Sequence, residues 1–187
     1  MNTAVTSREA ILTVCRELVS RQGLDSLNMR SVARACQVAL GSLYNYFPSK
    51  DDLLLATVES VWQDIFHMDG LPDQDLSFPG CVQWIFDRVQ QGRKAYPNFF
   101  TVHSLLFASS EKERARQAMD RHLFHIKTAL EEALRRDPDL RPDAFSPAFP
   151  QEEFLDFVLT SLLTLLLQDK SDCSLLLELI RRAIYPA

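Results

Sequence analysis

Ser42, Tyr44, Asn45 and Tyr46 fall within five consecutive positions of the chain, with Arg30 twelve residues before them and Lys50 four residues after. Hydroxyls, amides and guanidinium groups are the groups that read base edges in a groove, and cations with small polar donors are the groups that hold phosphates. The chemistry on offer is therefore recognition rather than bond making. Positioning such side chains requires a short rigid rod whose other face is anchored. Leu43 and Phe47, four apart, supply an apolar face for a helix over about Leu40 to Phe47, and Val32, Ala33 and Cys36 do the same for the helix before it. Gln37 to Ala39 form the turn between them. Two helices joined in this way make a helix-turn-helix, whose second helix is sized for a major groove. Asn28 has the side chain of an N-cap for the first of the two helices. Ser49 and Asp52 have capping-box spacing, which puts Lys50 in the first turn of a further helix, beside N–H groups that favour an anion.

Charge is distributed to suit such a surface. The total is minus 5, but residues 1–50 hold six basic residues (Arg8, Arg16, Arg21, Arg30, Arg34, Lys50) against three acidic ones (Glu9, Glu17, Asp25). The difference is plus 3, and the remaining 137 residues carry minus 8. A basic head on an acidic body suits phosphate contact by one end only. Cys15, Cys36, Cys81 and Cys173 show no paired spacing, so they read as small apolar residues in a reducing compartment.

The stretch from Asn28 to Leu53 resembles the tetracycline-repressor (TetR) family of bacterial transcription regulators. The family pattern is an Arg and an Ile/Val-Ala pair, a Gly-Val-Ser turn, then Gly-Thr-Leu-Tyr-x-x-Phe and Ser-Lys-x-x-Leu. Arg30, Val32, Ala33, Val38, Gly41, Leu43, Tyr44, Phe47, Ser49, Lys50 and Leu53 fit it. Three positions depart from it. Gln37 replaces the turn glycine, Ala39 replaces the capping serine, and Leu40 stands where a polar residue is common. Leu40 has no hydrogen bond to give a base edge, but it is able to touch a thymine methyl. The resemblance implies a homodimer on a palindromic double-stranded operator, with two recognition helices about 34 Å apart. On that basis Asn28, Arg30, Leu40, Gly41, Ser42, Tyr44, Asn45, Tyr46 and Lys50 are the expected DNA-binding residues, with Asn28, Tyr46 and Lys50 assigned to phosphates.

Stepping along the chain, every further segment reads as helix. The expected fold is all-α with about nine helices. Its domains are a three-helix DNA-binding head over residues 1–50 and a helical effector-binding and dimerisation body over 51–187. The first helix opens at Thr6, paired with Glu9 at capping-box spacing, and buries Ala10, Ile11, Val14, Leu18 and Val19. The fourth continues from Ser49 to about Met68. Asp69 to Gly80, rich in Pro, Gly and Asp, is a break. Helices follow over about Cys81 to Lys94, Pro97 to Phe107 and Ser110 to Arg136. Four prolines between Asp137 and Pro150 enforce a loop, and Phe154 to Gln168 and Leu175 to Tyr185 close the chain.

In the resembled family, the helices that carry Trp62, Phe66, Trp84, Phe99, Phe100 and Phe107 surround a small-molecule pocket; His67 and His103 flank apolar segments and are expected to line it, and the Phe and Trp content points to an apolar effector. Phe154, Phe157, Val158, Leu162, Leu166, Leu176, Leu179, Ile180 and Ala183 lie on the two last helices, which the family pairs with their mates as a four-helix dimer interface. The expected activity is a repressor released by its effector. The alternative is a ligand-sensing coregulator that does not bind an operator itself. No phosphate loop, nucleophile elbow or paired metal ligands recommend an enzyme, and His122 with His125, three apart, lack carboxylate or thiolate partners for a metal. No cofactor is expected. Phe154 to Leu167, interrupted by Asp156, is too short to span a membrane, and a cytoplasmic location follows as an expectation from the missing apolar leader at Met1 to Thr6.

Overall fold

The computed structural model describes residues 7–67, 76–97, 99 and 112–186. All regular structure among them is helical. The elements are α1 (Arg8–Gln22), α2 (Met29–Ala35), α3 (Leu40–Tyr44), α4 (Lys50–His67), α5 (Phe78–Ala95), α6 (Lys112–Arg136), α7 (Gln151–Leu167) and α8 (Ser174–Ile184), with a short 3-10 turn at Leu24–Ser26. The expected helix over Pro97 to Phe107 falls mostly outside the described residues, as does Ser110. Two compact units emerge. One contains the residues up to His67 and those from Gln91 to Asp120; the other contains Met68–Gln90 and Arg121–Ala187.

In the first unit α1 packs on α4 and on α2, and α2 packs on α3. The N-cap of α1 is Ser7, one residue beyond Thr6, because its Oγ accepts the N–H of Ala10 at 3.1 Å. The buried face is likewise rotated from the expected one: Ile11, Leu12, Cys15 and Val19 are buried, whereas Val14 and Leu18 are only partly covered and Ala10 is exposed. Arg16, also on α1, hydrogen-bonds Ser60 and lies 3.8 Å from Asp64, both on α4. Gly23 ends the helix at φ 78°, a conformation that suits glycine. A second glycine, Gly92 of α5, is dictated by close approach, since a Cβ there would stand 2.6 Å from the Ile65 side chain of α4.

The second unit is tied together around one carboxylate. Asp137, 8% exposed, accepts the N–H of Phe78 at 2.7 Å, the N–H of Asp139 at 3.1 Å and the phenol of Tyr185. Burial together with this bond raises the Tyr185 phenol above its ordinary range. The Asp137 bond, with the Ser77 oxygen that accepts from Gly80, also starts α5 three residues earlier than the apolar pattern implies. The Phe78, Phe145 and Phe149 rings surround Phe154 with centroids 5.5 to 5.9 Å away. α7 opens at Gln151 rather than Phe154, with Glu152 and Glu153 favouring its positive end, and packs on α8.

Candidate nucleic-acid interface

The arrangement of α2 and α3 follows from four local interactions. Asn28 caps α2: its Oδ1 accepts the N–H of Ser31 at 2.9 Å, while Ser31 Oγ accepts the N–H of Asn28 at 3.2 Å. α2 ends in a Schellman arrangement, with Val38 N–H on Ala33 O at 3.0 Å and Gln37 N–H on Arg34 O at 3.1 Å. The residue between those bonds must take a left-handed conformation, and Gln37 does so at φ 56°, where glycine has no steric penalty. Ala39 precedes α3 with no side-chain cap. The residues at positions 37 and 39 therefore cost stability relative to glycine and serine.

α3 is formally only Leu40–Tyr44, shorter than expected. The winding nevertheless continues, since Tyr46 and Phe47 N–H both bond Leu43 O, at 3.1 and 3.0 Å. Leu43 and Phe47 are fully covered, with Val32 and Ala33 of α2 buried behind them. Ser42, Tyr44, Asn45 and Tyr46 are exposed, and Leu40 is half-covered. Two large aromatic rings, Tyr44 and Tyr46, are thus left at 45% and 39% exposure beside a serine and an asparagine. A Cβ at Gly41 would meet nothing within 4 Å, so that edge of the helix is open. Ser49 caps α4 by accepting the Asp52 N–H at 3.0 Å, and exposed Lys50 is the first residue of that helix. The Asn28 side chain is engaged as a cap.

Cations divide into two kinds. Arg16 and Arg21 are paired with acids at 3.4 Å (Glu9) and 3.9 Å (Glu17). Arg8, Arg30, Arg34 and Lys50 are exposed and have no acidic partner among the described residues. Arg34 and Arg8 are not among the DNA-binding residues expected from the sequence. For Arg34 the signal was available, since it follows Arg30 by one helical turn; for Arg8 only the fold supplies it.

Of the expected effector residues, the first unit gathers Trp62, Phe66 and Phe99. Trp62 stacks on Phe66 at 6.0 Å and meets Phe99 edge-on at 5.9 Å, with Tyr96 6.3 Å beyond. Trp62 and Phe99 are buried. Tyr96 donates its hydroxyl to Asp64 at 2.6 Å, and desolvation followed by that bond raises its phenol well above the ordinary range. Trp84 belongs to the second unit, where the Arg88 guanidinium sits 5.3 Å over its ring. His67 ends α4. Phe100, His103 and Phe107 lie outside the described residues.

The residues expected at a dimer interface also divide. Phe154, Val158, Leu162, Leu176 and Ile180 are covered within the second unit, and Leu166 and Ala183 are partly covered. Phe157 and Leu179 are exposed at 55% and 48%, joined by Leu167 and Leu175, both over 70% exposed. Between α7 and α8 runs an open apolar groove of about 360 Å³, lined by Phe157, Leu165, Leu175, Leu176 and Leu179 with Thr160, Ser161 and Thr164. His125 is exposed on α6, and no group of three metal-binding side chains occurs among the described residues. No described helix is long and apolar enough to cross a membrane.

The sequence model described as "Bacterial regulatory proteins, tetR family" matches residues 11–57, which hold α1 to α3 and the start of α4. The HTH-type transcriptional repressor KstR of Rhodococcus jostii is 40% identical over 58 residues, covering 31% of this chain and 27% of that protein. The chain spans about a quarter of the length of the first curated relatives it matches. Over nearly the whole chain the likeness is structural. The multidrug binding protein EbrR, complexed with imidazole, superposes with a TM-score of 0.60 at 19% identity, covering 96% of this chain and 90% of that one. The reduced form of Escherichia coli NemR gives 0.59 at 22%, covering 96% and 98%. Residues 11–57 match the tetR family of bacterial regulatory proteins in sequence, and over nearly its whole length the chain has the fold of EbrR and NemR.

Proposed function

We propose that the chain is a DNA-binding transcriptional regulator, a repressor that leaves its operator when an apolar small molecule binds. The observation that carries this is the division of α3 and its extension into a buried edge and a polar edge. Leu43 and Phe47 hold the rod down, while Ser42, Tyr44, Asn45 and Tyr46 stand outward, and the exposed cations Arg30, Arg34 and Lys50 have no acidic partner among the described residues. Polar side chains on a rigid rod read base edges, and cations around them neutralise phosphates. The tetR family model spans this segment, and two relatives named as transcriptional repressors are 40% and 41% identical to this chain over 58 and 51 residues.

Dimerisation supplies the second half-site. Phe157, Leu175 and Leu179 remain exposed around a groove on the two last helices, and a second copy that covers them makes a two-fold assembly suited to a palindrome. Release uses α4. This helix begins at Lys50, and its eighteen residues span about 27 Å at 1.5 Å per residue to Trp62, Phe66 and His67. An apolar ligand that wedges beside Trp62 tilts α4 and displaces the phosphate-holding end, provided it prefers the tilted state.

The test is a gel shift at low salt with duplex DNA from upstream of the chain's own gene, comparing wild type with Tyr44→Ala and Lys50→Ala. Retardation by wild type, with sequence preference weakened by Tyr44→Ala, is the expected result. A folded protein that retards no duplex, specific or random, overturns it in favour of a coregulator that senses ligand without an operator.

A further inference from the structure

The guanidinium carbon of Arg8 lies 5.3 Å from the centroid of the Phe47 ring. Thirty-nine positions separate the two in sequence, so only the packing of the head brings them together. Phe47 is 1% exposed and closes the winding that starts at α3, immediately after Tyr46 and three residues before Lys50. Arg8 itself is exposed, so its guanidinium forms part of the cover over that ring and faces solvent on its other side. A guanidinium stacked on a ring gives up one face to the cation-π contact and keeps its in-plane N–H donors available, which is the orientation that suits a phosphate.

The nearby acids do not engage it. Glu9, its neighbour in sequence, is drawn to Arg16 at 3.4 Å, and Asp52 accepts the Ser49 hydroxyl at 2.7 Å. Exposed Asp51 makes no ion pair with Arg8. Arg8 is thus oriented by Phe47 and neutralised by nothing among the described residues, in contrast to Arg16 and Arg21 on the same helix, both of which are ion-paired.

We propose that Arg8 is a phosphate-binding residue of the DNA surface, held against the end of the recognition segment by the Phe47 ring. This rests on the DNA-binding reading above and adds α1 to the elements that contact the backbone. Its contribution is independent of sequence: a phosphate contact sets affinity and register and leaves base choice to Tyr44 and its neighbours.

The experiment measures binding of a fluorescently labelled random-sequence duplex by anisotropy between 50 and 200 mM KCl, for the full chain and for Arg8→Ala, Arg8→Lys and Lys50→Ala. Loss of one phosphate contact lowers the slope of log affinity against log salt by about 0.9. Arg8→Ala is expected to show that loss on random and specific duplexes alike, and Arg8→Lys is expected to restore the slope. Should Ala loosen the head, seen as a lower melting temperature, Arg8→Gln keeps a planar group over the ring and removes only the charge; the same loss of slope is expected. A slope unchanged in Arg8→Ala and Arg8→Gln, while Lys50→Ala reduces it, overturns the role of Arg8 and leaves the DNA-binding reading standing. A folded wild type that binds no duplex at 50 mM overturns both.

Discussion

The head and the last two helices both present surfaces that the described fold does not cover, but of opposite chemistry. Around α3 the exposed groups are hydroxyls, an amide and four cations without acidic partners among the described residues. Around α7 and α8 they are Phe157, Leu167, Leu175 and Leu179, beside an apolar groove. A chain that left both uncovered by oversight would be expected to mix the two kinds. Their separation supports the proposal that each surface takes its own class of partner: a polyanion gains from exposed cations, whereas a second apolar face gains from removal of hydrocarbon from water. The fold enforces this division by pairing Arg16 and Arg21 internally and by burying Phe154, Leu162 and Ile180 in their own unit.

The largest expected effect breaks the apolar side of the comparison. Leu179→Asp places a carboxylate in a face that association would dry, at a cost on the order of 3 kcal/mol or more per buried unpaired charge, which weakens a dimer by at least about a hundredfold. Light scattering should then report a monomer, with helix content unchanged because Leu179 is 48% exposed in its own chain. An unchanged dimer mass would mean that copies meet elsewhere.

A smaller effect sharpens the polar side. Gln37→Gly removes a side chain from a left-handed position and should raise the stability of the head by about 1 kcal/mol, and Ala39→Ser should add about 1 kcal/mol through a restored cap. Thermal melting checks both. If either substitution also changes operator preference, then the turn is tuned for recognition and the two surfaces differ in rigidity as well as in chemistry.

The smallest effect concerns titration. Burial pushes the Cys15 thiol of the head and the Cys81 and Cys173 thiols of the second unit up to about 11, from 9.0. Each thiol stays neutral in the folded chain while its unfolded counterpart ionises. The stability they contribute is complete below about pH 9 and is lost as pH rises through about 11. Chemical denaturation between pH 8 and 11 should show that fall, reduced by Cys15→Ala for the head and by Cys81→Ala for the second unit. The same burial makes these thiols slow to alkylate at neutral pH, and mass spectrometry after brief iodoacetamide treatment checks it.

The amino-acid sequence by itself determined the helical class, the turn between α2 and α3, the caps at Asn28 and Ser49, and four of the five side chains read as outward, Ser42, Tyr44, Asn45 and Tyr46, whereas Leu40 is half-covered. These depend on neighbours within four residues, where spacing maps directly onto helix faces. Helix ends were less legible: Ser7 rather than Thr6 caps α1, and α5 begins at Phe78 because Asp137, 59 positions away, accepts its N–H. Only the tertiary structure decided which apolar residues of α7 and α8 stay exposed. Phe154 and Phe157 have the same kind of side chain on the same helix, yet one turns into a ring of aromatic partners and the other turns away from it. Only the tertiary structure, too, placed Arg8 over Phe47 and drew Glu9 to Arg16. Periodicity reports that a residue lies on a face; what that face meets depends on elements far along the chain, and no local pattern encodes them.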